Sequence, residues 1–412
     1  MAVARKARTG VAKSVVHPIV LSDVAVRPGV QGKTAVYLDH AATTPMDPAV
    51  RDIVLHFMTE EFGNAGSRTH EYGARAKHAV QHARDQVAAV VHAQRDEVIF
   101  TSGATESNNL AILGLAPHGE STGRKHIVTT AIEHKAVLEP MQALAARGFS
   151  VTFVPPTRGG WVDPQAIEAA MRKDTLLVSV MHVNNETGVI QPIDDLAKLL
   201  SGHDAFFHVD AAQSFGKKKF VSLEQPRLDL ISVSGHKIYG PKGIGALICR
   251  RRGFGRVPLS PLMFGGGQER GVRPGTIPVA LVAGLGLAAE LALRDADKRE
   301  AACRDVRARV LEAFGPLHPR IHGDPERTMP HILNLSFPGV DSEALMVAWK
   351  DLVAVSNGSA CTSHSYEPSH VLLAMGLSAD EIQGAVRLSW GAGAAVPNWN
   401  QCADAVMRLA GR

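Results

Sequence analysis

LDLISVSGHK, residues 228–237, is a short apolar run that ends abruptly in Ser, Gly, His and Lys. A run so brief and so continuously apolar reads as a strand covered on both faces, the setting of a parallel sheet flanked by helices. The same pattern recurs outward from it in both directions. EVIFTSG (97–103), HIVTTAI (126–132), SVTFVP (150–155), TLLVSVMHV (175–183), AFFHVD (205–210) and GALICR (245–250) are further strand candidates, separated by amphipathic Ala/Leu-rich segments. The fold class is therefore α/β. Functional groups in such sheets gather at the carboxyl ends of strands, and five exits are polar: SGATESNN, EHK, NNETG, DAAQ and SGHK. Five polar exits on one rim make a pocket.

Around residue 290 the texture changes to a charged helix, LALRDADKREAACRDVRARVLEAF (291–314), followed by a new strand, HILNLSFP (331–338). A second α/β domain is expected from residue 294 to 412, joined by residues 36–46, with the larger domain over 47–293. Residues 1–35 read as a basic extension outside the fold. Their start, MAVARKARTGVAKSVV, lacks the apolar centre and small-residue cleavage site of a secretory signal. With 412 residues, 45% hydrophobic and 20% charged, the chain supports one large core and a second smaller one, which excludes a disordered or fibrous protein. Lys+Arg 44 against Asp+Glu 40 leaves a net charge of +4, too little to hold nucleic acid by bulk charge. Four scattered cysteines without a C-x-x-C point to a reducing compartment, and no apolar run approaches the roughly 20 residues of a membrane span. A cytoplasmic location is the expectation.

The chemistry-bearing residues cluster at the exits. Lys237, just past a buried strand, is placed for a partly desolvated, nucleophilic amine of the kind that bonds pyridoxal phosphate (PLP); alone it would read as a surface lysine. Asp210 ends AFFHV, where its carboxylate would face a protonated pyridine nitrogen, while a helix N-cap before Ala-Ala-Gln accounts for it equally well. Gly103, Ala104 and Thr105 turn from a strand into a helix starting near Glu106, an anion site suited to phosphate or a plain cap. Ser234 and His236 would add phosphate contacts from the opposite side. His134 would lie over a flat cofactor and exchange protons, or serve structure only. Asn185 and Gln213 are hydrogen-bonding amides at neighbouring strand ends.

SNGSACTSHSYEPSH, residues 356–370, places Cys361 in a Gly/Ser-rich stretch without close apolar neighbours, which suits a thiolate that visits a cofactor and then an acceptor. A buried, inert thiol is the other reading. Arg387 in AVRLSWG suits capture of an amino-acid carboxylate, or a structural salt bridge. FGGGQERGVRPGT (264–276) is a glycine-rich loop that would cover phosphate, with Thr276 as its contact.

Together LDHAATTP, FGN, TSGATESNNLAI, EHKAV, MHVNNETG, HVDAAQ, SGHKIYGPKGIGAL, GGGQERG, RPGT and SNGSACTS, in order from Tyr37 to Trp390, resemble the NifS/IscS-type cysteine desulfurases within the class V aminotransferase-like PLP enzymes. The resemblance implies a fold-type I PLP-dependent transferase with a mixed, mostly parallel seven-stranded sheet and a smaller α/β domain, assembled as a homodimer. It implies Lys237 as the lysine that bonds PLP, Asp210 at the pyridine nitrogen, His134 over the ring and Gln213 at the phenolic oxygen. Ala104, Thr105, Ser234 and His236 fall at the phosphate, with Thr276 reaching the neighbouring subunit's phosphate. Asn64, Asn185 and Arg387 would hold L-cysteine, and Cys361 would take its sulfur as a persulfide for a sulfur-acceptor protein. No resident metal is expected, although Cys361 would be able to ligate an iron–sulfur cluster transiently.

The chain departs from that pattern in FGNAGS, where the family commonly has Pro after Asn, and in Asn357, where relatives carry Ser. It also stops at RLAGR without the docking tail of relatives that serve iron–sulfur scaffolds. The Cys361 loop resembles the desulfurases of DNA phosphorothioation systems. Competing readings are an aminotransferase or selenocysteine lyase with Cys361 incidental, and a non-enzymatic adaptor, which would not need Lys237 and Asp210.

Overall fold

The computed structural model describes residues 35–357 and 368–411. The expectations for the basic extension up to residue 34 and for the placement of Cys361 lie outside the described residues. Residues from Ala35 onward form one compact unit.

All seven strand candidates form one sheet: β2 (Val98–Thr101), β3 (His126–Thr130), β4 (Ser150–Val154), β5 (Thr175–Met181), β6 (Phe206–Asp210), β7 (Leu230–Ser234) and β8 (Gly245–Cys249). A short β1 (Val36–Tyr37) precedes them. The sheet order is β2-β8-β7-β6-β5-β3-β4. β8 is antiparallel to both β7 and β2, and the remaining pairs are parallel. Six strands therefore run one way, and their exits share one edge.

Alternation decides which side chain faces which layer. Ala246 and Ile248 of β8 enter the core beneath the helices Glu71–Ala89 and Val279–Arg294, whereas Leu247 enters the core under Ala104–Leu113 and Lys135–Ala146. β5, β6 and β7 are buried along their whole length, which is why they read as almost continuously apolar runs. β2 lies at a sheet edge yet is also buried. Its Phe100 N–H donates to the carboxylate of Glu269 at 2.8 Å, so a loop closes that edge.

The second sheet is small. β9 (Arg320–Ile321), β10 (Ile332–Ser336) and β12 (Val386–Ser389) lie in the order β12-β10-β9, all antiparallel, and β11 (Val353–Ala354) pairs with β1. Its core is aromatic: Phe314 stacks on Trp349 at 5.7 Å and meets Phe337 and Trp399 edge-on. Leu38 enters this core, and Asp39 bridges to Ser389, so the chain after β1 passes from the small sheet to the rim of the large one.

Candidate active site

At the carboxyl edge of the large sheet lies a pocket of about 510 Å³, lined from all five polar exits, from Ala41–Ala42–Thr43 and from Arg387. A groove of about 500 Å³ between the helices Pro48–Thr59, Glu71–Ala89 and Val279–Arg294 is of similar size, but no strand exit opens into it. The difference is one of position: the polar groups of the first converge from the strand exits, whereas those of the groove come mostly from helices.

Lys237 follows β7 in a single 3₁₀ turn, and its Nζ donates to the carbonyls of Ala41 and, at 2.9 Å, Ala42. The Ala41 carbonyl also accepts from Gln213 Nε2 at 2.8 Å. Asp210 is the last residue of β6 and is 5% exposed. Its Oδ1 accepts from Ala212 N–H at 2.9 Å, and Oδ2 accepts from Asn108 Nδ2 at 2.7 Å. The helix start that Ala-Ala-Gln suggested is a turn. The carboxylate is fixed by two donors while still lining the pocket.

His134 caps the helix Lys135–Ala146, its Nδ1 accepting from Ala136 N–H at 3.1 Å. That bond leaves the proton on Nε2. Burial pushes the pKa of His134 below its usual value against the opposing pull of Asp210, so the ring is neutral near pH 7. His236, bonded through Nδ1 to Thr43 Oγ1 at 3.1 Å, is pushed down to about 4 by burial and by Lys237, Lys242 and Lys217. It contributes hydrogen bonding and no charge.

A cup forms where β2 and β7 end level with the start of β8. Thr101 of β2 and Ser234 of β7 both pair with Gly245 of β8. A Cβ at Gly245 would lie 2.6 Å from Gly103 Cα, and Gly103 itself has φ 152°, so glycines permit this approach. The helix Ala104–Leu113 begins two residues earlier than its sequence suggests, and Ser102, Gly103, Ala104, Thr105, Ser234 and His236 all face the pocket.

Arg387, 3% exposed on β12, donates from Nη1 to Asn185 O at 2.9 Å and from Nη2 to Asp39 Oδ1 at 2.7 Å. Its Nε is buried without a hydrogen-bond partner. The salt bridge is real, and the guanidinium lines the pocket nonetheless. Asn64 and Thr276 are exposed and stand outside the pocket of the single chain; Asn64 Oδ1 accepts from Gly66 N–H. Sequence reasoning missed Asn108, which orients Asp210, together with Asp39 and Lys242. Asn108 sits one helical turn after the cup on the face toward the sheet, a spacing visible in GATESNN.

The three remaining cysteines are unreactive by environment. Burial raises Cys303 and Cys402 to about 11 and pushes Cys249 higher still, so all three stay as thiols.

A phosphorylated pyridine aldehyde has three polar ends, and the site offers an anion cup, a carboxylate and an amine around one cavity. Asn108 Oδ1, buried without a partner beside Asp210, marks further polar capacity there. The residues fit PLP, and sheet and site together define a PLP enzyme of fold type I.

Residues 36–395 match the aminotransferase class-V family. A cysteine desulfurase IscS from Vibrio cholerae is 47% identical over 362 residues, covering 87% of this chain and 88% of its own length. The mitochondrial cysteine desulfurase of Drosophila melanogaster is 47% identical over 370 residues, covering 89% and 79%. Among solved structures, DndA from Streptomyces lividans is 53% identical with a TM-score of 0.76, covering 87% of this chain and 100% of its own; SspA in complex with cysteine is 35% identical with a TM-score of 0.77, covering 87% and 99%. The chain belongs to the aminotransferase class-V family and, within it, to the cysteine desulfurases.

Proposed function

We propose that this protein converts L-cysteine to L-alanine, passing the sulfur to Cys361 as a persulfide for delivery to an acceptor protein. One observation carries the reading. Arg387, the guanidinium suited to the substrate carboxylate, is bridged through its backbone to Ser356, with N···O distances of 2.6 and 3.3 Å. Ser356 precedes Cys361 by five residues, an extended reach of about 17 Å. The substrate grip and the thiol are thus tethered to the same point of β12.

Bound PLP supplies the electron sink for breaking the bond to hydrogen beside the substrate amine. Lys237 supplies the amine that holds the cofactor aldehyde, and Asp210, fixed by Asn108 and Ala212, supplies the counter-charge for the ring nitrogen. Gln213 is the donor for the phenolic oxygen, and Ala104, Thr105, Ser234 and His236 hold the phosphate. Neutral His134 covers the ring and moves protons through Nε2. Arg387 and Asn185 orient the substrate. The Cys361 thiolate attacks the substrate sulfur, the carbon–sulfur bond breaks with its electrons returning to carbon, and protonation there gives alanine.

Asn64 and Thr276, exposed in one chain, are read as serving the site of a homodimer, Thr276 at the neighbouring phosphate. The larger division 47–293 then carries the cofactor, and residues 36–46 with 294–412 carry Arg387 and Cys361. The 53% identity to DndA, above the 47% of the IscS relatives, and the wording of the Cys361 loop favour delivery toward DNA phosphorothioation over cluster assembly or tRNA thiolation. Among the described residues no helix is long and apolar enough to cross a membrane. With dispersed cysteines, a cytoplasmic site of action is the consistent reading.

The test is Cys361→Ser. Release of alanine and reducible sulfur from L-cysteine is expected to stop while the yellow cofactor colour remains. Unchanged turnover would instead make Cys361 incidental and favour an aminotransferase or selenocysteine lyase.

A further inference from the structure

We infer that Arg273 sets the affinity of the phosphate cup by neutralising Glu106, a carboxylate built into the cup's own helix. The inference rests on the cofactor reading above and adds a residue to it.

Glu106 lies in the first turn of Ala104–Leu113, and its Oε2 turns back to accept from Ser102 N–H at 2.6 Å. Ser102 to Thr105 line the pocket, so this carboxylate stands at the same helix end that would receive a phosphate. A negative charge there suits the helix by itself, but a phosphate arriving beside it meets repulsion in a partly dry environment.

Arg273 meets Glu106 as a fork, Nε to Oε1 at 2.8 Å and Nη2 to Oε2 at 3.3 Å, with both side chains largely out of solvent. Burial alone would raise the Glu106 carboxyl; Arg273 and the Ser102 N–H outweigh it and keep the group ionised and paired. Arg273 is itself held. Its glycine-rich loop is pinned at Glu269, which accepts from Nη1 and Nη2 of Arg84 and from Phe100 N–H, and Gly275 N–H donates to Gln268 Oε1 at 3.0 Å. Because His236 is neutral, positive charge on the pocket wall falls to Lys237, Lys242 and Arg387, the last already paired with Asp39. An unneutralised Glu106 would offset much of it.

The experiment titrates the apoprotein with pyridoxal 5′-phosphate and separately with pyridoxal, which lacks the phosphate. Arg273→Gln is expected to weaken pyridoxal 5′-phosphate about tenfold and to leave pyridoxal unchanged. Adding Glu106→Gln to Arg273→Gln should recover most of that loss, since the amide still caps Ser102 N–H without the charge. Equal weakening of both ligands, or a double variant as weak as the single, would overturn the inference and reduce Arg273 to a loop anchor. Failure of the unmodified protein to bind either ligand would overturn the cofactor reading instead.

Discussion

The two sheets of this protein are stabilised in different ways and contribute differently to the site. The seven-stranded sheet is packed on both faces by aliphatic side chains and ends in polar residues, so burial and function divide along each strand: the middle folds and the exit binds. The three-stranded sheet rests on an aromatic cluster and gives the pocket one side chain, Arg387. A rigid sheet with several aligned exits can preorganise many groups at once, whereas a small sheet joined at the rim can present a single charge.

Lys237→Ala should give the largest effect, complete loss of turnover with cysteine together with loss of covalently held cofactor absorbance. Retention of turnover would place the chemistry outside the large sheet. Next, Trp349→Ala should lower unfolding stability by about 3–5 kcal/mol in urea, because it empties a fully buried site and leaves the Cys402 carbonyl without the indole N–H. If the sheets are separable in function, cofactor binding survives in that variant without denaturant; joint loss would show that the aromatic core supports the pocket as well.

Glu133 sharpens the comparison from the large-sheet side. It is fully buried, with Oε1 accepting from Thr130 Oγ1 and Met181 N–H, and burial raises its pKa to about 8. The folded protein therefore keeps a proton that the unfolded chain releases above about pH 4.5, so stability falls as pH rises from there toward 8. Glu133→Gln should remove this decline, a gain of a few kcal/mol by pH 8 seen as a flatter profile of Tm against pH. An unchanged profile would mean that Glu133 is ionised in the fold.

The smallest effect is expected from Arg387→Lys, which keeps the charge and loses the fork. The KM for cysteine should rise about tenfold with kcat little changed. A fall in kcat alone would mean that Arg387 acts through its bridge to Ser356 and not through the substrate.

Much of this was legible in the sequence because a strand buried on both faces is mostly apolar along its length; the mid-strand exceptions Ser179, His208 and Ser232 are buried and bond to one another across the sheet. The strands and exits of the large sheet, and the residues gathered there, Lys237, Asp210, His134 and Thr105 among them, could be read directly. Asp39 and the Ala41 and Ala42 carbonyls could not, since they reach Arg387 and Lys237 through sequence separations of roughly 200 to 350 residues and, in the second case, through backbone atoms that carry no sequence signal. The reversed direction of β8 was equally silent, because an antiparallel strand buried on both faces reads like a parallel one.

The sequence by itself determined the layers, the exits and the chemical types at the rim, because local patterning and strand burial act over a few residues. Tertiary structure decided which of those types became fixed groups. It gave Asp210 its second donor, His134 its neutral tautomer, Arg387 its partner and Glu106 its counter-charge, since each depends on which distant segment the fold brings within hydrogen-bonding distance.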